Sequence, residues 1–212
     1  MKLLDVKSLV LPDVKVIRYA RFRDDRGYFT ESYRASDIHQ NPITDFLKDF
    51  RFFQENESHS IAGVIRGLHF QWNPGMGKFV RTLRGRMVDM VMDIRHGSPT
   101  LGKIIGYDMP AAPDADYGEW IWVPPGFAHG NFFTEETTIE YLCTTEYKPA
   151  CEAGVSPLSA DLDWSLCEPT LKVAFDTIVA SGPVISEKDR EGLSLREWLE
   201  DERSTNYRYR NE

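Results

Sequence analysis

From about residue 13 to residue 150 the apolar residues of this chain fall into short runs of strand length, broken by turn residues. The runs are "VKVIRYARF", "GYFTESY", "FRFFQENES", "KFVRTLRG", "RMVDMVMDI", "GKIIGYDM", "EWIWVPPG", "HGNFFT" and "TIEYLCTTEY". No long amphipathic stretch lies between them to make parallel crossovers, so the pattern predicts an all-β sandwich or barrel. "RMVDMVMDI" alternates, with Met87, Asp89, Val91 and Asp93 on one side and Val88, Met90, Met92 and Ile94 on the other. One face of that strand is expected to be buried, and in a hollow barrel Asp89 faces the lumen. "VIRGLHFQWNPGMGKFVRTLRG" reads as a β-hairpin whose inner positions carry Arg66, His69 and Lys78 around a loop rich in Gly and Pro. After Pro149 the texture changes to loop-rich sequence, "ACEAGVSPLSADLDWSL", followed by two helix starts. Ser186 with Asp189 and Ser194 with Glu197 fit the capping-box pattern, which predicts a C-terminal helical segment over about 186–204 with Leu195, Trp198 and Leu199 on its apolar stripe. The tail "NYRYRNE" is expected to fray.

A chain of 212 residues suits one large domain, here 1–212 throughout. Its formal net charge of −8 gives no general footprint for nucleic acid, so an anionic ligand must be held by a few placed arginines. The three cysteines, Cys143, Cys151 and Cys167, include no CxxC pair, which suggests neither a disulfide framework nor a zinc ribbon and fits a reducing cytoplasm. The start "MKLLDVKSLVLPDVKVIRYARF" interrupts its apolar residues with Asp5, Lys7, Asp13 and Lys15, unlike a signal peptide. No segment reaches the roughly 18 consecutive apolar residues of a membrane span.

Proton abstraction beside a carbonyl needs a base near neutrality, a cation or donor at the developing enolate oxygen, and an acid that returns the proton. His69, Lys78 and Tyr141 supply those types, yet each has a plainer explanation. His69 in "GLHFQ" also suits a hydrogen-bonded core histidine, Lys78 a surface lysine, and Tyr141 in "IEYLC" a strand aromatic. His129 in "VPPGFAHGNFF" follows a turn that delivers it to a strand start, and with His69 it raises the possibility of a metal-binding cupin. That reading fails on spacing, because His69 is followed by Phe70 and Gln71 with no second histidine one residue away.

The blocks "DDRGYFTES", "FQEN", "IRGLHFQ", "GKFVRTLRGRMVDMVMDIRHGSPTLGK", "WVPPGFAHGNF" and "YLCTTEYKP" occur in this order between residues 24 and 149. Together they resemble the dTDP-4-dehydrorhamnose 3,5-epimerase family. The resemblance implies a cupin-type double-stranded β-helix, or jelly roll, with short C-terminal helices. It also implies a homodimer in which N-terminal strands, about 1–60, are exchanged with the partner. It makes His69 the base and pairs it with Asp189, puts Lys78 at the enolate oxygen, and sets Tyr141 opposite His69 as the acid. Arg66, His129 and Asp89 fall where the family binds substrate. Arg26, Tyr28 and Glu31 match the element lent to the partner's nucleotide site, and Gln54 and Asn56 complete its polar lining.

The implied reaction is enolisation beside the C4 ketone of a nucleotide-linked 4-dehydro-6-deoxy sugar, with inversion at C3, C5 or both. The ketone already acidifies the C–H bond, so no metal or organic cofactor is expected. A 3,4-ketoisomerase on the same fold and a non-catalytic sugar-nucleotide-binding cupin are the alternatives, the second disfavoured by intact His69, Lys78 and Tyr141. Two departures stand out: "SPLSADLDW" replaces the family's Trp-Asn-Asp-Pro-like block, and Glu57 stands where a histidine is common, with His59 nearest. Asp189 keeps a rival role as a helix-capping residue. A one-residue gap would bring Leu142 to the acid position, whereas the ungapped register keeps Tyr147 and Pro149 aligned.

Overall fold

The computed structural model describes residues 1–209. The strand spacing is realised as two facing antiparallel sheets, the jelly roll expected. One sheet holds six strands in the order β1 (Leu3–Ser8), β2 (Lys15–Ala20), β10 (Tyr117–Val123), β7 (Lys78–Arg84), β12 (Thr137–Cys143) and β5 (Gln54–Ser60). The other holds β13 (Glu152–Gly154), β6 (Ile65–Gln71), β11 (Phe127–Phe133), β8 (Arg86–Asp93) and β9 (Ile104–Pro110). A separate hairpin pairs β3 (Phe22–Asp24) with β4 (Gly27–Phe29). Within the chain, β1 and β2 complete the six-stranded sheet through β10, and β5 pairs along its length with β12.

The expected hairpin around His69 and Lys78 is not one. β6 pairs with β11 and β13, whereas β7 pairs with β10 and β12, so the loop between them crosses from one sheet to the other. A Gly- and Pro-rich connection is compatible with either geometry, and sheet membership is decided by pairing partners far away in sequence. The consequence is functional: His69 and Lys78 belong to opposite walls of the barrel.

β8 is buried on both faces, not one. Met87 and Val91 pack in the lumen with Val80, Ile105 and Phe133, while Val88, Met90, Met92 and Ile94 face a second core. That second core exists because the C-terminal third covers the outer face of the five-stranded sheet. Much of the cover is α2 (Pro169–Ala180), a helix that lies between the loop-rich run and the predicted helix starts and that the sequence reading did not name. Pro169 stands in its first turn, where a missing N–H costs nothing, and Leu171, Phe175 and Ile178 recur at helical spacing against the core. The predicted C-terminal segment resolves into α3 (Glu187–Arg190), α4 (Leu195–Glu200) and a 3₁₀ turn over Glu202–Asn206, with one further short helix, α1 (Ala35–His39), near the N-terminus. Ser194 and Glu197 form the complete capping box. The tail is not frayed through residue 209: Tyr207 is buried, its backbone carbonyl accepts from His96 N, and Tyr209 N donates to the His96 carbonyl. Residues 210–212 lie outside the described residues.

The turn after β8 is fixed by Asp93, which is fully buried. Its carboxylate accepts from Arg95 Nε and Nη2 at 3.0 and 2.8 Å, Ser98 Oγ at 2.6 Å and Thr100 Oγ1 at 2.7 Å. Burial alone would raise the pKa of this carboxyl, but those donors outweigh it and hold the group below the ordinary aspartate range. Asp93→Ala leaves the donors unpaired and is expected to cost about 3–5 kcal/mol in urea unfolding at neutral pH. Because the folded-state pKa is depressed, the Asp93 contribution is complete above the ordinary aspartate value of about 3.9 and fades as pH falls through the folded value. Stability measured from neutral pH down to about pH 2 should therefore fall more steeply for the wild type than for Asp93→Asn.

Candidate active site

Strand alternation puts every second residue of β5, β7 and β12 into the barrel. On β12 these are Ile139, Tyr141 and Cys143; on β7, Lys78 and Val80; on β5, Gln54, Asn56 and Ser58. Lys78 lies across from Cys143, and Tyr141 lies between Val80 and Asn56, so the lysine and the tyrosine come from adjacent strands of one wall. The facing wall supplies His69 and His129, which are cross-strand neighbours on β6 and β11. The two strands approach closely there because both are glycine at the crossing: a Cβ on Gly67 (φ +109°) would sit 2.5 Å from Gly130 Cα, and one on Gly130 would sit 2.4 Å from the Arg66 carbonyl oxygen.

The space between the walls is a cavity of about 270 Å³ whose lining includes Arg66, His69, Lys78, His129, Tyr141 and Asp189. His69 Nε2 meets Asp189 Oδ1 at 2.7 Å, and Asp189 Oδ2 accepts from Gly67 N at 3.1 Å. With Nε2–H donated to the carboxylate, the imidazole keeps its Nδ1 lone pair for a proton. Asp189 is buried; desolvation pushes its pKa up, but the bonds from His69, Gly67 and Ser186 prevail and hold it down, so the carboxylate stays ionised. The capping alternative is half present. Ser186 Oγ accepts from Asp189 N at 3.1 Å, while the Asp189 side chain turns away from the helix start to His69.

A second histidine–carboxylate pair lies alongside. His129 Nε2 meets Asp89 Oδ1 at 2.6 Å, and Asn131 Nδ2 donates to the same oxygen at 2.6 Å. Asp89 does face inward, and its Oδ2 is buried without a partner among the described residues. Burial lowers the His129 pKa; Asp89 opposes this, and Lys78 and His69 reinforce it, so His129 is neutral at neutral pH. Lys78 is lowered mainly by burial, against the opposing charges of Cys143, Glu152 and Asp89, and makes no ion pair among the described residues. Burial raises Tyr141, which keeps its phenol protonated and able to donate. Arg66 spans the mouth, tied by Nε to Ser60 Oγ at 2.9 Å.

The remaining candidates lie elsewhere. Gln54 and Asn56 share the inward row of β5 and are bonded to each other at 3.0 Å, next to the cavity and outside its lining. Arg26 is paired with Asp24, Tyr28 lies beneath the Arg21 and Arg23 guanidiniums, and Glu31 binds the N-terminal amine, all away from this chain's own cavity. Ser58, Asn131 and Lys188 are among the lining residues that the sequence did not single out. Carrying the parity of Asn56 and of His129 two residues further finds the first two, and Lys188 immediately precedes Asp189. Lys188 also binds Glu152, which accepts from Tyr147 OH at 2.9 Å. The divergent "SPLSADLDW" segment contributes nothing to the cavity lining; it packs beside α2 through Leu158, Leu162 and Trp164.

Residues 8–197 match the family model described as dTDP-4-dehydrorhamnose 3,5-epimerase. The chain belongs to the dTDP-4-dehydrorhamnose 3,5-epimerase family. It is 34% identical over 202 residues to the enzyme of that name from Neisseria gonorrhoeae, a match covering 95% of this chain and 55% of the relative. Among solved structures, the 3,5-epimerase of Legionella pneumophila in complex with dTDP-4-keto-L-rhamnose superposes with a TM-score of 0.78 at 31% identity, covering 98% of this chain and 99% of that one. ChmJ of Streptomyces bikiniensis, a 3'-monoepimerase in complex with dTDP-quinovose, gives a TM-score of 0.71 at 27% identity, with 94% and 90% covered. The family's cupin jelly roll is the fold of this chain.

The two roles of α3 can be separated by thermal unfolding. Ser186→Ala removes the N-cap and is expected to cost about 1 kcal/mol. Asp189→Asn should in addition remove the acid-side stability loss that a depressed carboxyl pKa produces, since that contribution is present at neutral pH and lost as pH falls through the folded-state value. An acid limb equally steep in Asp189→Asn and wild type would mean that the His69 pairing does not act on stability.

Proposed function

We propose that the protein inverts C3, C5 or both of a dTDP-linked 4-dehydro-6-deoxy sugar, a step in deoxysugar supply for polysaccharide synthesis. The observation that carries this reading is the His69–Asp189 pair at 2.7 Å on one wall of a cavity whose opposite wall presents Lys78 and Tyr141. Inversion by proton transfer needs a base and an acid on opposite faces of a planar intermediate, and this arrangement supplies them. His69 Nδ1 takes the proton beside the ketone while Asp189 stabilises the imidazolium. Lys78 donates to the enolate oxygen, worth about 3 kcal/mol for a well-placed donor. Tyr141 returns a proton from the other face. The neutral His129, held by Asp89, and Arg66 at the mouth bind the sugar and the diphosphate.

The protein acts as a homodimer in this reading. The N-terminal strands, about 1–60, are exchanged with the partner in this reading, and the β3–β4 hairpin among them stands apart from both sheets. It is held at its base by Arg21 and Arg23, which bond carbonyls of residues 111–115, and it leaves Phe22, Tyr28 and Phe29 exposed. It would bring Arg26, Tyr28 and Glu31 to the partner's nucleotide, beside Gln54 and Asn56. No helix among the described residues is long and apolar enough to cross a membrane, and the three cysteines are free thiols, which suits a reducing cytoplasm.

Incubation with dTDP-4-dehydro-6-deoxyglucose in D2O, read by NMR, should place deuterium at C3, C5 or both and should do so in EDTA. Loss of exchange on chelation would sink the cofactor-free reading; a product with its ketone moved to C3 would identify a ketoisomerase. His69→Ala should abolish exchange.

The two groups on the opposite wall have separable effects. Lys78→Met removes the donor on which the enolate depends, so exchange and product should disappear together. Tyr141→Phe should retain exchange from the His69 face while inverted product falls by about 10²-fold or more. Normal inversion in Tyr141→Phe would place the acid elsewhere.

A further inference from the structure

Gln71 lies two residues beyond His69 on β6 and is only 2% exposed. Its carboxamide is committed at both ends. Nε2 donates to Thr145 Oγ1 at 3.0 Å, the Pro74 carbonyl at 3.2 Å and the Glu146 carbonyl at 3.3 Å, and Oε1 accepts from Lys148 N at 2.6 Å. Its main-chain carbonyl accepts from Tyr207 OH and from Met76 N. One buried side chain thus joins the strand of the candidate base to the loop leading into Lys78 and to the loop that follows Tyr141.

Those loops lie beyond the strand ends, where no ladder satisfies their N–H and C=O groups. The segment 144–148 is the more exposed of the two to consequences, because it carries Tyr147, which is 48% exposed. Tyr147 N donates to Gln54 Oε1 at 2.7 Å, and its hydroxyl holds Glu152, the partner of the cavity-lining Lys188. The catalytic side chains have independent anchors: His69 in Asp189 and two flanking strands, Lys78 and Tyr141 each between two paired strands. Loss of the carboxamide therefore frees loop 144–148 before it disturbs the reacting groups.

We propose that Gln71 is a positioning residue that fixes loop 144–148 and, through Tyr147 and Glu152, the cavity-lining Lys188, so that ligand binding depends on it more than the chemical step does. This rests on the nucleotide-sugar reading above. A lysine whose partners are ordered before the ligand arrives spares the ligand the cost of ordering them. A glutamate would not substitute at neutral pH, since its carboxylate would face the Pro74 and Glu146 carbonyl oxygens; only the protonated acid can donate there.

The test uses dTDP as the probe in calorimetric titrations of the full chain, together with steady-state kinetics. Gln71→Met should weaken dTDP binding and raise KM by about tenfold or more while kcat changes by less than about threefold. Gln71→Glu should bind dTDP at low pH and lose it as pH rises, a limb absent from the wild type. Thr145→Val, which removes one acceptor, should shift both quantities in the same direction by a smaller factor and serves if Gln71→Met does not fold. Phe175→Leu, in the core under α2, provides a destabilised control expected to bind dTDP normally. Unchanged dTDP binding in the Gln71 and Thr145 variants would overturn the proposal, as would equal weakening in Phe175→Leu or a loss confined to kcat. A wild type that does not bind dTDP would instead overturn the nucleotide reading on which it stands.

Discussion

The hydrogen bond between His69 and Asp189 joins residues 120 positions apart, and much of the architecture serves it. It brings a four-residue helix from the C-terminal third against β6 of the barrel wall. That helix could not persist alone, being far shorter than the length at which isolated helices gain stability. It is held because Ser186 caps its backbone, Asp189 bonds both His69 and the Gly67 N–H, and the Ser156 hydroxyl donates to the Arg190 carbonyl. The C-terminal cover thus completes the second core and orients the His69 imidazole.

The second constraint is close approach. Leu68 and Phe70 pack outward into the C-terminal core, which commits His69 between them to the lumen. Gly67 and Gly130 then let β6 and β11 draw together with no side chain between them, which sets His69 beside His129. The two histidines differ in consequence. His129, 6% exposed, has its acceptor Asp89 shared with Asn131 at the barrel centre, and burial favours the neutral imidazole. His69 is more open to the cavity, and its carboxylate is supplied by a separate element. One pair suits fixed hydrogen bonding and the other proton transfer.

Strand positions and their inward parity were legible in the sequence because a half-buried strand alternates, and Lys78, Tyr141, Asn56 and Asp89 all follow from that rule. Sheet membership was not: the segment from Arg66 to Lys78 reads as a hairpin, and only pairing with β10, β12, β11 and β13 reveals that it spans the barrel. The double burial of β8 was hidden because much of its cover comes from α2, more than 70 positions later. Asp189 shows the limit most directly. Its spacing from Ser186 satisfies a capping rule, and its backbone obeys that rule, yet its carboxylate goes to a histidine that local sequence does not mention.

Charge has the same local character. The chain carries a net charge of −8, yet Arg66, Lys78 and Lys188 converge on one cavity of about 270 Å³. Each is held differently. Arg66 is bonded to a hydroxyl and a backbone carbonyl, so its full charge is left for a ligand. Lys188 shares its charge with Glu152, while Lys78 is desolvated, with Glu152 and Asp89 opposing the loss of its proton and Lys188 favouring it. A dianionic diphosphate at the mouth and a single developing negative charge inside make different demands. An exposed, undiminished guanidinium suits the first, because its hydrogen bonds form on binding; a buried ammonium poorly solvated in the resting state suits the second, because its interaction strengthens as the enolate forms. The gradient from hydrated to desolvated cation thus runs in the direction a substrate would travel, and burial is its main cause, with no change in the sign of the residues involved.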